Sequence, residues 1–491
     1  MGVIKRQGIK NAFITYFGVV VGAVSTFFIQ PEFLTADEVG FTRNLYNFSF
    51  LLGLALPLGL PSIILKFYPE FKQHDFLKKH FLGFILLFFL VTSILTTSVF
   101  FIFKDQILKL YSTNSHLFIS YFICVVPMAL IMSLNACITS FSQAAHKSTV
   151  PSFLNDVFSR LVVILITVLY YYKFISFNQY VLVYILNFLI ITILLVFYLS
   201  KYDLISLKIK SSVFKKTQLK KIIYYGFFLC IISFASFGLR SIDSIFLGFY
   251  SLSNVAIYTT AAFLAMFIEV PLGAIDRISQ SKIAENFMNN NHHEISKIYS
   301  QSVKYLLVFG GLLFLGINAC SKYLFEFLPI EYSSSLHLVL ILSFGSLVNV
   351  ATGINSSILF YSNQYKNGCY LLLSIFILTV ILDIIFIPTY GLNGAAIITA
   401  SISILFNFSK FLFIYYKFKL QPYTINSVKI TLVIVLGFII VWFMPSLTSN
   451  NILNIIINSG AITAFYVGCI YKLNIIPEIF EMVKSKLSGK N

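Results

Sequence analysis

Charge is what this sequence most lacks. Asp, Glu, Lys and Arg make up 11% of its 491 residues, against about 25% in a soluble domain. So few cannot cover a water-facing surface, which excludes a soluble globular fold. Acidic residues are the scarcer sign, 18 against 35 Lys and Arg, and no two of them form a DxD pair. Together with the want of a long outer loop, this argues against a membrane-bound glycan polymerase or ligase. Cysteine is rare too. The six, Cys124, Cys137, Cys230, Cys320, Cys369 and Cys469, lie singly in apolar surroundings without a CxxC pair. They indicate neither a disulfide framework nor a zinc site and read as small core residues. Histidine suggests no metal site either. His74, His80, His146, His292 and His293 fall in polar stretches, and His116 and His337 near the ends of apolar ones.

What is present in quantity is apolar sequence. Hydrophobic residues are 58% of the chain and the mean hydropathy is +0.87. About 20 apolar residues cross a hydrocarbon layer of about 30 Å as a helix. Runs of that length recur at 12–29, 45–65, 81–103, 117–142, 152–172 and 179–199. They resume at 222–250, 254–274, 303–320, 336–361, 368–388, 392–416, 428–444 and 452–471. The expectation is an all-α integral membrane protein with about fourteen transmembrane helices. The first run follows Lys5, Arg6 and Lys10 and has no small-residue cleavage signal, so it reads as a retained span. PEFLTADEVGFTR reads as a polar link to the second span, which Gly53, Pro57, Gly59 and Pro61 should break near its end.

The basic residues are unevenly placed. With a cytoplasmic N-terminus, 27 of the 35 fall in inner segments, whereas the outer loops hold only Arg43, Lys104, Lys109, Lys173 and Lys322. This bias puts both termini in the cytoplasm. It also accounts for the +17 net charge through anionic lipid, with no nucleic acid partner required. The densest basic stretch, KYDLISLKIKSSVFKKTQLKK at 201–221, reads as a joint between halves. Pro57-Leu58-Gly59 and Asn135 recur 214 residues on as Pro271-Leu272-Gly273 and Asn349, and Phe177-Asn178 falls on Leu392-Asn393. The organisation this suggests is a six-helix lobe at 1–200, a linker at 201–221, a parallel six-helix lobe at 222–420, and two further helices with a tail at 421–491. Parallel repeats of this kind build transporters that rock about a midplane site.

Charges inside the spans are candidate functional residues. Arg240 is roughly 28 Å from Lys221 and about 21 Å from Asn254 at 1.5 Å per residue, too far to snorkel. An arginine there costs about 2.5–3.5 kcal/mol on insertion scales, tolerable beside a wet cavity or a partner. Asp243, three residues on, shares its face and is either that partner or an ion-coupling group. Asp156 and Arg160 are spaced as an i, i+4 pair at the start of span five. Lys410 is near enough to an end of span twelve to snorkel, or else lines the binding cavity with Arg160 and Arg240. Glu269, before Pro271, and Asp383, before Pro388, are the other carboxylates within spans. Each is a candidate for binding the H⁺ or Na⁺ of a driving gradient or for joining helices. Lys66 and Glu70 close the broken second span. The 54 Phe and 29 Tyr fit interfaces and apolar cores better than a sugar platform. The polar stretch 276–304 suits a short interfacial helix.

Three stretches resemble the bacterial polysaccharide flippases of the Wzx type. RSIDSIFLGFYSLSNVAIYTTAAFL is similar to their span-seven to span-eight region, with Ala256 where that family usually has glycine. DEVGFTRNLYNFSFLLGLALPLGLPSIILKFYPEF resembles their first turn and second span, and PTYGLNGAAIITASIS the start of their span twelve. The resemblance runs through nearly the whole chain, in span count and joint position as well. It belongs to a superfamily that also holds the lipid II flippases and the multidrug and toxic compound extrusion (MATE) exporters. It implies a MATE-like pair of six-helix lobes, V-shaped around a cationic cavity, plus two C-terminal helices. The implied cargo is an undecaprenyl-pyrophosphate-linked oligosaccharide, carried across the bacterial inner membrane for O-antigen, capsule or other lipopolysaccharide synthesis. No cofactor is implied. Partners would be that cargo, membrane lipids, and a polymerase or glycosyltransferases. A glycan pyrophosphate cannot cross hydrocarbon unaided, so such a protein needs a polar lining and fixed cations. A MATE-like antiporter of organic cations would want an acidic chamber, which Arg240 opposes; transport of lipid II is the alternative within the superfamily.

Overall fold

In hydrocarbon every backbone N–H and C=O must find its partner within the chain, which makes each apolar run a helix. The computed structural model describes residues 2–71, 75–111, 115–201 and 216–481, and among them there is no strand. Most of the basic joint at 201–221, and the tail beyond 481, lie outside the described residues.

The contacts divide the chain into two units, Met1–Ala256 and Ile257–Asn491. In the first, α1 (Gly2–Val24) passes through a π-helical turn, Ser25–Ile29, into α2 (Gln30–Phe33). Next come α3 (Ala36–Ala55), α4 (Leu60–Phe71), α5 (Asp75–Leu108), α6 (His116–Ser120) and α7 (Val125–Ala144). Helix α8 (Thr149–Phe153) runs through a second π-helical turn, Leu154–Phe158, into α9 (Ser159–Tyr171), followed by α10 (Phe177–Ser200) and α11 (Lys216–Tyr250). Helix α12 (Leu252–Met266) leads into the second unit through a 3-10 turn, Phe267–Glu269, to α13 (Val270–Met288). There follow α14 (His292–Phe325), α15 (Leu336–Ala351), α16 (Asn355–Tyr361), α17 (Tyr365–Phe418), α18 (Ile425–Trp442) and α19 (Asn451–Lys472).

Among the described residues eleven helices are long and apolar enough to cross a membrane, and thirteen when each of two bent pairs is one span. The chain is a multi-pass membrane protein. Helix α17 covers the two apolar runs 368–388 and 392–416, being two helices joined at Gly391, whose φ of 52° and ψ of −127° are not helical.

One expectation fails at the start of α3. The stretch read as a polar link is largely helical, because Thr35 and Glu38 form a reciprocal capping box that starts α3 at Ala36. The interfacial helix expected within 276–304 is instead the continuation of span eight to Met288, then a three-residue turn and α14.

Two helices are broken where a residue takes a left-handed conformation. The second span bends by 52° between α3 and α4, at the Pro57–Gly59 sequence. Here Gly59 has φ +80°, and a Cβ on it would collide with the Gly226 carbonyl of α11. The tenth bends by 53° between α15 and α16, at Gly353 with φ +66°. Its Cβ would press on the side chains of Val303 and Ser302, 2.7 and 2.8 Å away. In the second unit α18 and α19 pack along α14, where Gly311 lies under Ile434 and Tyr466.

Candidate functional site

Arg240 lies on α11, ten residues or about 15 Å from its end at Tyr250, which is half the thickness of the hydrocarbon layer. Its side chain is exposed and makes no hydrogen bond or ion pair among the described residues. Asp243 is instead 1% exposed. The pairing expected from their spacing therefore does not form: Arg240 stands off the face that α11 buries.

The buried face of α11 meets α3. Asn47 donates to Ser244 Oγ at 2.7 Å, Asn44 lies over Gly248, and Gly40 packs on the carbonyl of Leu252. The side chains level with one another sum to nearly constant residue numbers, the mark of antiparallel helices packed closely through small residues. Arg43, expected in an outer loop, is part of α3. Its guanidinium donates to the Ala256 carbonyl at 3.1 Å and toward Gln30 Oε1 at 3.5 Å.

Arg160 and Asp156 do not bond to each other either. Arg160 donates to the Gly18 carbonyl of α1, and Asp156, in the π-helical turn, accepts from Thr15 Oγ1 at 3.2 Å. Asn11 donates to Ser148 Oγ at 2.9 Å one turn earlier, so α1 is joined to the α8–α9 segment by three polar contacts. A neutral ladder lies nearby: Asn155 donates to Thr139 (3.4 Å), Thr139 to Asn135 (3.4 Å), and Asn135 to Thr192 (3.3 Å). Sequence reading missed the ladder because neutral amides and hydroxyls do not interrupt an apolar run. The π-helical turns were the available landmark, since such turns gather at functional sites, but they leave no residue signature.

In the second unit Lys410 does not snorkel. It is 2% exposed and donates to Ser356 Oγ at 2.9 Å, with its Nζ 4.2 Å from the Phe406 ring centroid. One turn back, Asn407 Oδ1 accepts from Thr352 Oγ1 at 3.1 Å and Asn355 Nδ2 at 3.3 Å. These residues bracket the break between α15 and α16. On the other side Ser357 donates to Asp276 of α13, and Tyr361 to Gln280 Oε1 at 3.2 Å. Asp383 is fully buried on the first half of α17. Glu269 sits half-buried in the 3-10 turn that breaks span eight just before Pro271. Of the six sequence candidates, Arg160, Arg240 and Asp243 belong to the first unit and Glu269, Asp383 and Lys410 to the second. Arg240 is exposed, Glu269 half-buried, and Arg160, Asp243, Asp383 and Lys410 are taken into helix packing to different degrees. Among the described residues no group of three or more His, Cys, Asp or Glu is placed to hold a metal.

No protein-family model matches the sequence, and no curated protein does. Solved structures do. The lipid II flippase MurJ, in an inward closed conformation, superposes with a TM-score of 0.67 at 17% identity, over 93% of this chain and 98% of MurJ. This chain has the MurJ and MATE fold. A multidrug resistance MATE family transporter of the MOP superfamily, inward-facing, gives 0.65 at 16% identity over 83% of this chain and 94% of its own. A point mutant of the Vibrio cholerae MATE transporter VcmN gives 0.54 at 13%, over 87% and 100%. The all-α, MATE-like architecture expected from the sequence is therefore present. At these identities the likeness is one of fold.

Proposed function

We propose that this protein is a flippase that moves an undecaprenyl-pyrophosphate-linked oligosaccharide across the bacterial inner membrane for surface polysaccharide synthesis. The observation that carries the reading is Arg240, a cation exposed ten residues inside the end of a span-length helix with no partner among the described residues. Hydrocarbon does not tolerate such a guanidinium, so its surroundings must be polar, and its forked donors suit a phosphate. Likeness in fold to a lipid II flippase supports a lipid-linked cargo. Movement would be alternating access by the two six-helix lobes, both termini facing the cytoplasm, with no bond made or broken. Asp243, Asp383 and Glu269 are the groups proposed to couple an H⁺ or Na⁺ gradient. Arg160 and Lys410 are the further cations proposed to bind the cargo, each held in its own unit, by the Gly18 carbonyl and by Ser356 Oγ. A polymerase or glycosyltransferases would meet the basic inner loops.

The test is surface polysaccharide display in a strain where deleting the protein abolishes it. With abundance and insertion unchanged, Arg240→Ala should lose display and Arg240→Lys keep part of it. Normal display with Arg240→Ala removes Arg240 from the reading. A second reading is lipid II transport, favoured by MurJ aligning over 93% of the chain where the inward-facing MATE structure aligns over 83%. Rescue of growth in cells depleted of their own lipid II flippase, without any effect on display, would decide for it.

A further inference from the structure

Helix α5 is anchored to its unit at two points and open between them. Ile85 joins a buried cluster with Ile64, Cys137 and Phe141, and Phe100 stacks on Phe122 with ring centroids 5.3 Å apart. In between, α5 stands off α7 and leaves a cavity of about 560 Å³, walled by side chains such as Leu86, Leu90 and Ile94 of α5 and Leu130 and Leu134 of α7. It continues into a narrower space of about 180 Å³ between Ile64 of α4, Phe141 of α7 and Leu199 of α10.

We propose that this groove holds one acyl chain of an anionic phospholipid whose phosphate rests among Lys66, Lys147 and Lys201. Both walls belong to span-length apolar helices, so the groove faces hydrocarbon and water cannot fill it. Left empty, its lining would forfeit its dispersion contacts. The three helices that wall the narrow end each reach a lysine soon after their last lining residue: Ile64 precedes Lys66, Phe141 precedes Lys147, and Leu199 precedes Lys201. Lys66 is held over the Tyr225 ring at 3.7 Å. Lysines at that level suit an anionic headgroup. Length identifies the chain. From Ile85 to Ser98 the groove follows thirteen residues of α5, about 20 Å, close to the roughly 15 Å depth of one leaflet. A polyprenyl tail of many isoprene units is far longer than a leaflet and would leave most of itself outside. The site is independent of the cargo proposed above.

The experiment is native mass spectrometry of the full-length protein released from bilayers of phosphatidylcholine with a minority of phosphatidylglycerol. The wild type should keep one phosphatidylglycerol after phosphatidylcholine has been stripped. Ser93→Phe and Leu134→Trp, which fill the groove, should lower that occupancy about tenfold or more. Leu95→Trp, on the exposed side of α5 and outside the groove, should not. Lys66→Gln with Lys201→Gln should retain a lipid but lose the preference for phosphatidylglycerol. Equal retention by the wild type and the filled variants overturns the proposal, as does recovery of a polyprenyl phosphate in place of a phospholipid. Should the filled variants not fold, a phospholipid with a photoreactive acyl chain decides on the wild type. Labelling of 86–98 and 130–134 supports the site, and labelling only elsewhere overturns it.

Discussion

The two bent helices have nearly the same angle, 52° in the first unit and 53° in the second, yet they are held by different forces. The α3–α4 bend is a backbone fit. Gly59 in its left-handed conformation lies on the carbonyl of Gly226, and the nearest polar help is the Cys230 thiol on the Leu54 carbonyl at 3.3 Å. The α15–α16 bend is a side-chain fit. Thr352, Asn355 and Ser356 are bonded to Asn407 and Lys410, and Ser357 to Asp276. A backbone fit fails all at once when a methyl group is added; a polar clamp can lose its members singly.

The comparison can be broken by substitution, read out as thermal unfolding of the purified protein and its yield in membranes. Gly59→Ala should have the largest effect, on the order of 4 kcal/mol or more, since left-handed strain adds to a collision with a backbone that cannot turn aside. Little accumulated protein is the expected result, and a near-normal yield would show that α4 and α11 are not held through Gly59. Gly353→Ala should cost less, about 2–3 kcal/mol, because the strain is similar but Val303 and Ser302 can give by rotating their side chains. Asn407→Leu should cost about 1–3 kcal/mol by taking the acceptor from the Asn355 amide, Thr352 Oγ1 keeping the Asn349 carbonyl at 2.9 Å, and transport should fall further than stability if the clamp is what moves. Lys410→Met should shift stability least, by about 1 kcal/mol or less in either direction, since an apolar chain of similar length removes a buried charge along with its bond. Equal losses for Gly59→Ala and Lys410→Met would erase the distinction between the two bends.

The spans were legible because hydrocarbon demands long unbroken apolar runs, and the first bend because proline and glycine mark it as Pro57, Gly59 and Pro61. The second was not. Gly353 has no proline beside it, and the polar residues around it, Thr352, Asn355, Ser356 and Ser357, do not name their partners: what fixes the bend comes from Asn407 and Lys410 more than fifty residues later. Lys410 is instructive in the same way. Its distance from the helix end suggested an exit to water, whereas its neighbours across the fold supply a hydroxyl and an aromatic face. Arg43 was hidden by reading ADEVGFTR as a link, although Thr35 and Glu38 spell a helix start. Arg240 was placed correctly within a span, but its separation from Asp243 required knowing which face of α11 meets α3.

Asn407 and Lys410 lie three residues apart on one turn of α17. Sliding that helix by a single residue, about 1.5 Å, would draw both away from their partners together. The bend in the second unit therefore holds α17 as a detent holds a latch, through two side chains seated in the same register.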